Sequence, residues 1–344
     1  MNLLVTGGAG FIGSHLCDTL LAKGHQVSVI DNLSLGKIDN IRHLTSNSSF
    51  RFYQMDLNQT DDLVRVMKDN SIEAVFHLAA NSDIGKSFTH PETDLNNTFM
   101  TTFNVLNAIK NCGVKQLVFA STSAIYGELK GKLSENTGPL KPVSHYGAGK
   151  LASEAFVSSF ANNYGIKSWI IRFPNVVGGR ATHGVIHDFI NKLKKNPEVL
   201  EVLGDGQQCK PYLYVRDLVD AIVLVWEKAQ ENLNVFNVGV ESKTTVARIA
   251  EIVIQEMNLK SQIAYTGGTR GWVGDVPTFE YSLDKIHQLG WKPERESDEA
   301  VRSAIRAILE RKNEGGHSCR GQGNKAGTCG QAKTNGNCSG THAA

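Results

Sequence analysis

A tyrosine and a lysine four residues apart, in the run Tyr146-Gly147-Ala148-Gly149-Lys150, are the groups of this 344-residue chain best suited to move a proton. Residues at i and i+4 of a helix share a face, so the spacing predicts an ammonium close to a phenol. A phenol of pKa about 10 is roughly 0.1% ionised at neutral pH, and lowering that pKa to about 7 takes about 4 kcal/mol of preferential stabilisation of the phenolate. A unit positive charge at ~4 Å, across an effective dielectric of ~20, supplies about that much. Alone, the pair is a common surface arrangement; a second motif gives it meaning. Thr6-Gly7-Gly8-Ala9-Gly10-Phe11-Ile12-Gly13 satisfies both G-x-G-x-x-G and G-x-x-G-x-x-G. Such glycines permit a tight turn, close approach of a pyrophosphate and close helix-strand contact, with the next helix directing its N-terminus at the phosphates.

The β-rich run after this turn ends at Asp31, about 20 residues beyond the glycines. There a carboxylate accepts hydrogen bonds from an adenosine ribose and repels a 2′-phosphate, so NAD is expected rather than NADP. Asn32 adjoins it, and Asp56 and Leu57, which close the third run, are candidate adenine contacts.

The elements that must position these groups follow a regular beat. Short apolar runs at Leu3 to Thr6, Gln26 to Ile30, Arg51 to Gln54, Ala74 to Leu78, Gln116 to Ala120 and Trp169 to Phe173 alternate with helical segments, the pattern of a parallel α/β sheet. Phe11 to Lys23, with Ile12, Leu16, Leu20 and Leu21 on one stripe and Gly24 as a stop, completes the first βαβ unit. The expected fold is α/β, a Rossmann-type doubly wound sheet of about seven strands over residues 1–175. Beyond that, 176–312 is expected to form mainly a smaller substrate lobe, with a strand near 234–238 returning to the sheet. Residues 313–344, rich in Gly, Asn, Thr, Ser and Lys, are expected to be a disordered or appended tail. Its Cys319, Cys329 and Cys338, with His317 and His342, lack the paired C-x2-C spacing of structural zinc sites, and no metal is expected.

The formal charge of +2 offers no polybasic field for nucleic acid or membrane, so the ligands should be small. Met1 runs almost directly into Leu3-Leu4-Val5, which leaves no room for a signal peptide, and no stretch approaches the ~20 apolar residues of a membrane span. Cys17, Cys112 and Cys209 are scattered as reduced, buried thiols would be. A cytoplasmic protein is expected.

With the fingerprint at Gly7 to Gly13, His77-Leu78-Ala79-Ala80, Ser121-Thr122-Ser123-Ala124-Ile125-Tyr126-Gly127 and Tyr146-x-x-x-Lys150 in order, the chain resembles the extended short-chain dehydrogenase/reductases. More narrowly, over about residues 1 to 312, it is similar to the NAD-dependent sugar-nucleotide epimerase/dehydratase family, near the UDP-glucose 4-epimerases. The resemblance implies that Tyr146 is the catalytic base and that Lys150 binds the nicotinamide ribose while lowering the tyrosine's pKa. It makes Thr122 the group that hydrogen-bonds the sugar's reacting oxygen, with Ser121 or Ser123 as a substitute, and gives cofactor contacts to Leu78, Ala79, Ala80, Asn97 and Ser121. In the segment Arg172-Phe173-Pro174-Asn175, it places Phe173 and Pro174 beside the nicotinamide and Asn175 on the substrate diphosphate. Ser82, Lys210, Tyr212, Arg270 and Asp275 fall where relatives bind the nucleotide sugar. Ser82 stands where the best-known 4-epimerases carry lysine, and Lys210 where they carry arginine, so the diphosphate meets a point charge rather than a bidentate fork. The bulk of Phe279 favours a plain hexose over an N-acetylated one. Relatives pair through the helix after Asn97 and the helix bearing Tyr146, which implies a homodimer.

The implied activity is 4-epimerisation of a nucleoside-diphosphate hexose, UDP-glucose and UDP-galactose being the favoured pair, through a transient 4-keto sugar. Tyr146 takes the C4 hydroxyl proton while hydride passes to NAD and then returns to the other face. A 4,6-dehydratase would carry an Asp-Glu pair straight after the threonine, where this chain has Ser123 and Ala124. A sugar-nucleotide reductase would be an unusual NADPH user with Asp31 in place. A dinucleotide sensor without chemistry would not need to retain Tyr146, Lys150 and Thr122 together.

Overall fold

The computed structural model describes residues 1–82, 88–268 and 279–317, with side chains to residue 311. A seven-stranded parallel sheet organises it. Numbering only its strands, these are β1 Asn2–Thr6, β2 Gln26–Asp31, β3 Phe50–Gln54, β4 Ala74–His77, β5 Gln116–Thr122, β6 Lys167–Phe173 and β7 Leu233–Asn237. They lie in the order β7-β6-β5-β4-β1-β2-β3, each parallel to its neighbours. The chain reverses direction across the sheet between β1 and β4, and a crevice opens at such a switch point beyond the carboxyl ends of the strands.

The longer α-helices among the described residues are α1 Phe11–Ala22, α2 Thr60–Asp69, α3 Thr101–Cys112, α4 His145–Tyr164, α5 Val185–Lys195, α6 Val215–Lys228, α7 Val246–Glu256, α8 Asp284–Gln288 and α9 Ser297–His317. Alternate residues of a strand face opposite sides, and β1 shows the result: Leu3 and Val5 join a core with α1 and α6, whereas Leu4 joins one with α2, α3 and α4. A third core, away from the sheet, packs α5, α7 and α9 through Phe189, Ile190, Ile249, Val253, Val301 and Ile305.

Two short parallel pairings tie distant segments to the sheet's upper edge. Asn175–Val177 pairs with Tyr212–Tyr214, and Lys132–Leu133 with Glu280–Tyr281. No helix among the described residues is long and apolar enough to cross a membrane. The expectations for Arg270, Asp275 and the cysteines of the tail fall outside the described residues.

Candidate active site

A cleft of about 370 Å³ runs along the carboxyl ends of β1, β2, β4, β5 and β6. Its floor is the glycine-rich turn. Gly7 has φ +72°, a left-handed conformation that glycine adopts without strain, and an added Cβ would stand 2.8 Å from the Ala79 backbone nitrogen. At Gly13 a Cβ would stand 2.2 Å from the Gly7 carbonyl oxygen, so only glycine lets α1 approach the turn this closely. Helix α1 begins at Gly10 with no side-chain cap and no acidic residue in its first turn, which leaves the positive end of its dipole directed at the cleft. Gly10, Phe11 and Ile12 share that wall.

Asp31 also lines the cleft, as do Asn32, Asp56 and Leu57. The Asp31 carboxylate accepts from the backbone N–H of Ala9 at 3.0 Å and of Leu33 at 2.8 Å. Burial raises its pKa and these backbone donors oppose the rise. Asn32 donates from Nδ2 to Asp56 at 2.7 Å, tying the ends of β2 and β3. Leu78, Ala79, Ala80, Ser82 and Asn97 form the wall beyond β4. An uncapped helix end, a glycine cradle and an acidic strand terminus fit the phosphates and ribose of a dinucleotide.

At the opposite end lie Tyr146, Lys150 and Phe173. Register does much of the placing: Thr122 of β5 is opposite Phe173 of β6, and Ser121 opposite Arg172. Helix α4 is started by Ser144, whose hydroxyl accepts from the Gly147 N–H at 3.1 Å, and it ends at Gly165 in the left-handed region. It rides close to its neighbours because two of its early residues lack side chains. A Cβ on Gly147 would be 2.7 Å from the Ala124 carbonyl oxygen, and one on Gly149 would be 3.3 Å from Thr98. The approach sets the Tyr146 hydroxyl beside the Thr122 side chain.

The electrostatics differ from the expectation that Lys150 lowers the tyrosine's pKa. Burial pushes the Tyr146 phenol up to about 12, the Thr122 hydroxyl beside it works against that rise, and the charge of Asp94 adds to it. Lys150 instead donates from Nζ to the Ala120 carbonyl at 2.7 Å and lies over the Phe119 ring, 4.7 Å from its centroid. Burial brings its pKa down to about 7, while Glu154 and Asp94 favour its charged form. For each group, removal from water outweighs the neighbours that favour its charged form.

The other expected site residues are placed as follows. Ser121 is fully buried and its hydroxyl donates to Glu154, so its side chain serves a buried ion pair rather than the cleft. Glu154 receives Arg172 in a two-pronged contact at 3.0 and 2.6 Å, and Arg172 also donates to the Tyr126 hydroxyl at 2.9 Å. Tyr126 in turn donates to Asn237 of β7 at 2.8 Å. Pro174, Asn175, Lys210 and Tyr212 lie outside the cleft wall. Tyr212 packs into the third core, Asn175 is exposed, and Lys210 pairs with Thr244 in a short ladder. Ser123 lies beside Tyr281, and Phe279 packs against Tyr281 with centroids 5.4 Å apart.

Sequence reasoning missed the Ser34-Leu35-Gly36 loop, Asn81, and the pair Thr182 and His183, all in the cleft wall. Asn32 carried a usable signal for the loop, since its Oδ1 accepts from the Ser34 N–H at 3.0 Å, a turn asparagine forms readily. Thr182 and His183 carried none, because only tertiary contacts bring their segment across.

The NAD dependent epimerase/dehydratase family matches residues 3–239. The UDP-glucose 4-epimerase of Corynebacterium glutamicum is 31% identical over 312 residues, 86% of this chain and 91% of that one. A crystal structure of a UDP-galactose 4-epimerase superposes with a TM-score of 0.80 at 38% identity, covering 91% of this chain and 99% of the other. The UDP-glucose 4-epimerase of Thermus thermophilus, solved in complex with NAD, gives a TM-score of 0.80 at 32% identity, with 90% and 99% covered.

Proposed function

We propose that this chain, which belongs to the NAD-dependent epimerase/dehydratase family, is an NAD-dependent nucleoside-diphosphate-sugar 4-epimerase acting on a UDP-hexose. The observation that carries the reading is the juxtaposition of Tyr146, in the cleft wall, with the Thr122 hydroxyl beside it, at the end of the cleft whose other end is the glycine-rich turn. Bound NAD supplies the acceptor and donor of hydride. The chain's own residues handle the proton and the geometry. Thr122 fixes the orientation of the phenol and is placed to hold the sugar's reacting hydroxyl, while Tyr146 accepts the proton and later returns it. Lys150 lines the same wall, from which its ammonium would hold a ribose hydroxyl of the bound cofactor. Ser123 and Ala124, where a dehydratase needs acids, leave no group beside Thr122 to remove a C5 proton.

Residues 1–175 with β7 form the cofactor lobe of this reading, and 176–312 the main body of the sugar-nucleotide lobe, with Asn175 and Lys210 toward the diphosphate. The described cysteines Cys17, Cys112 and Cys209 are all free thiols, which supports a reducing, cytoplasmic setting. A homodimer is supported by an aromatic face on α4, on α3 and on the turn just before α3: Phe156 packs edge-on against Phe99 and Phe103 at 5.2 and 5.6 Å, and Phe156 and Tyr164 remain exposed.

The test is incubation of the purified protein, with no added cofactor, with UDP-, GDP-, CDP- and dTDP-sugars, following C4 configuration by NMR. Interconversion of one UDP-hexose pair is expected, and Tyr146→Phe should abolish most of it while still binding NAD. Turnover only when NAD(P)H and a keto sugar are supplied would make the protein a reductase instead.

A further inference from the structure

We propose that residues 178–183 form a strap that retains the dinucleotide against α1, latched by the ion pair between Arg180 and Asp18. The proposal rests on the NAD site inferred above. Thr182 and His183 stand in the same cleft wall as Gly10 and Phe11, with the Thr182 hydroxyl 3.1 Å from His183 Nδ1. Both are polar groups of the kind that contact a diphosphate, and both come from a segment that belongs to no strand of the sheet.

The strap is seated at both sides. A Cβ at Gly178 would be 3.0 Å from the Phe11 ring and 2.6 Å from Val215 of α6, and one at Gly179 would be 2.9 Å from the Ala307 side chain of α9. Arg180 Nη1 lies 2.8 Å from Asp18 Oδ2 on α1, and the other Asp18 oxygen is 2.7 Å from His43 Nε2. The strap is therefore pinned to the helix whose N-terminus faces the cleft. Beyond it Gly184, at φ +103°, turns the chain into α5.

Charges of both signs surround the helix that the strap is pinned to. Burial holds the imidazole of His15 on α1 neutral, its pKa down to about 4, and Arg180, Arg216 and Arg311 act in the same direction. Asp18 is a counter-charge within this group, so its pairing with Arg180 both fixes the strap and balances the cluster. A strap of this kind suits an enzyme that returns the hydride it takes, because cofactor lost mid-cycle strands the keto sugar.

The experiment measures release of radiolabelled NAD from the reconstituted full chain after a chase with unlabelled NAD, without any sugar. Asp18→Asn and Arg180→Gln should each release NAD about tenfold faster, equivalent to ~1.4 kcal/mol. The double swap of Asp18→Arg with Arg180→Asp should recover slow release. Thr182→Val, which leaves the latch untouched, should also accelerate it. Melting of the cofactor-free variants separates release from misfolding, since the accelerated variants should melt with the parent. Unchanged release in the latch variants, or a swap as leaky as the single changes, overturns the proposal. Because no sugar is present, its failure is distinct from failure of the epimerase reading.

Discussion

Tyr146 is a base whose proton the protein alone holds tightly. With the phenol raised to about 12 by burial, ultraviolet difference titration of cofactor-free parent against Tyr146→Phe should show no tyrosinate from this residue below about pH 10, the ordinary phenol value. A Tyr146-dependent signal near neutral pH would mean that Lys150 does act on it. Lys150 yields a second expectation. An unfolded lysine titrates near ~10.4, whereas in the fold its pKa is down to about 7. Between those values the unfolded chain carries the extra proton, so this residue makes stability rise with pH through that window and penalises folding most below it. Denaturant midpoints at several pH values should therefore climb less steeply across that window in Lys150→Met than in the parent; parallel lines would refute the assignment. At this scale the residue types were legible in the sequence and the side-chain directions were not. Ser121 and Thr122 are neighbours on one strand, so they point to opposite faces, and only the assembled sheet decides which of them meets Tyr146.

Elements were easier to read than side chains because a strand's apolar run and a helix's stripe are local signals. All seven strands of the sheet coincide with apolar runs in the sequence, and α1 stops at the glycine that marks its end. The path of residues 178–183 was invisible because it is fixed by contacts with α1 and α9 that lie far away in the chain. Helix α4 shows how an element delivers chemistry. Gly147→Ala would drive a methyl into the Ala124 carbonyl and push Tyr146 off Thr122; a displacement of about 1 Å at such a site costs on the order of a hundredfold in rate. Turnover should fall by about that factor with NAD binding retained, and parent-like turnover would show that α4 has room to spare. Glu154, one turn past Lys150 on the same helix, is paired with Arg172 in the interior. Glu154→Gln leaves that guanidinium uncompensated and should destabilise the fold by about 3–5 kcal/mol, read as a shift in the urea midpoint. A change within error would mean that Tyr126 and the Glu135 carbonyl, which also accept from Arg172, suffice to hold it.

At the scale of the molecule, the aromatic face of α3 and α4 should bring two copies together. Light scattering at micromolar concentration is expected to give twice the chain mass, and Phe156→Glu to shift it to monomer; a monomeric parent would sink the dimer. The sheet itself carries a different kind of information. Six of its strands are complete by Phe173, but β7 follows only at Leu233–Asn237, after α5 and α6, and Asn237 supplies the acceptor for Tyr126 in the Arg172 network. During synthesis from the N-terminus, the nascent sheet must therefore wait with β6 as an open edge, a surface prone to pairing with other chains, until the ribosome has produced much of the second half. Folding cannot be completed in the order in which the motifs are written, and a fragment cut after residue 175 would hold every fingerprint of the chemistry yet lack the strand that closes it.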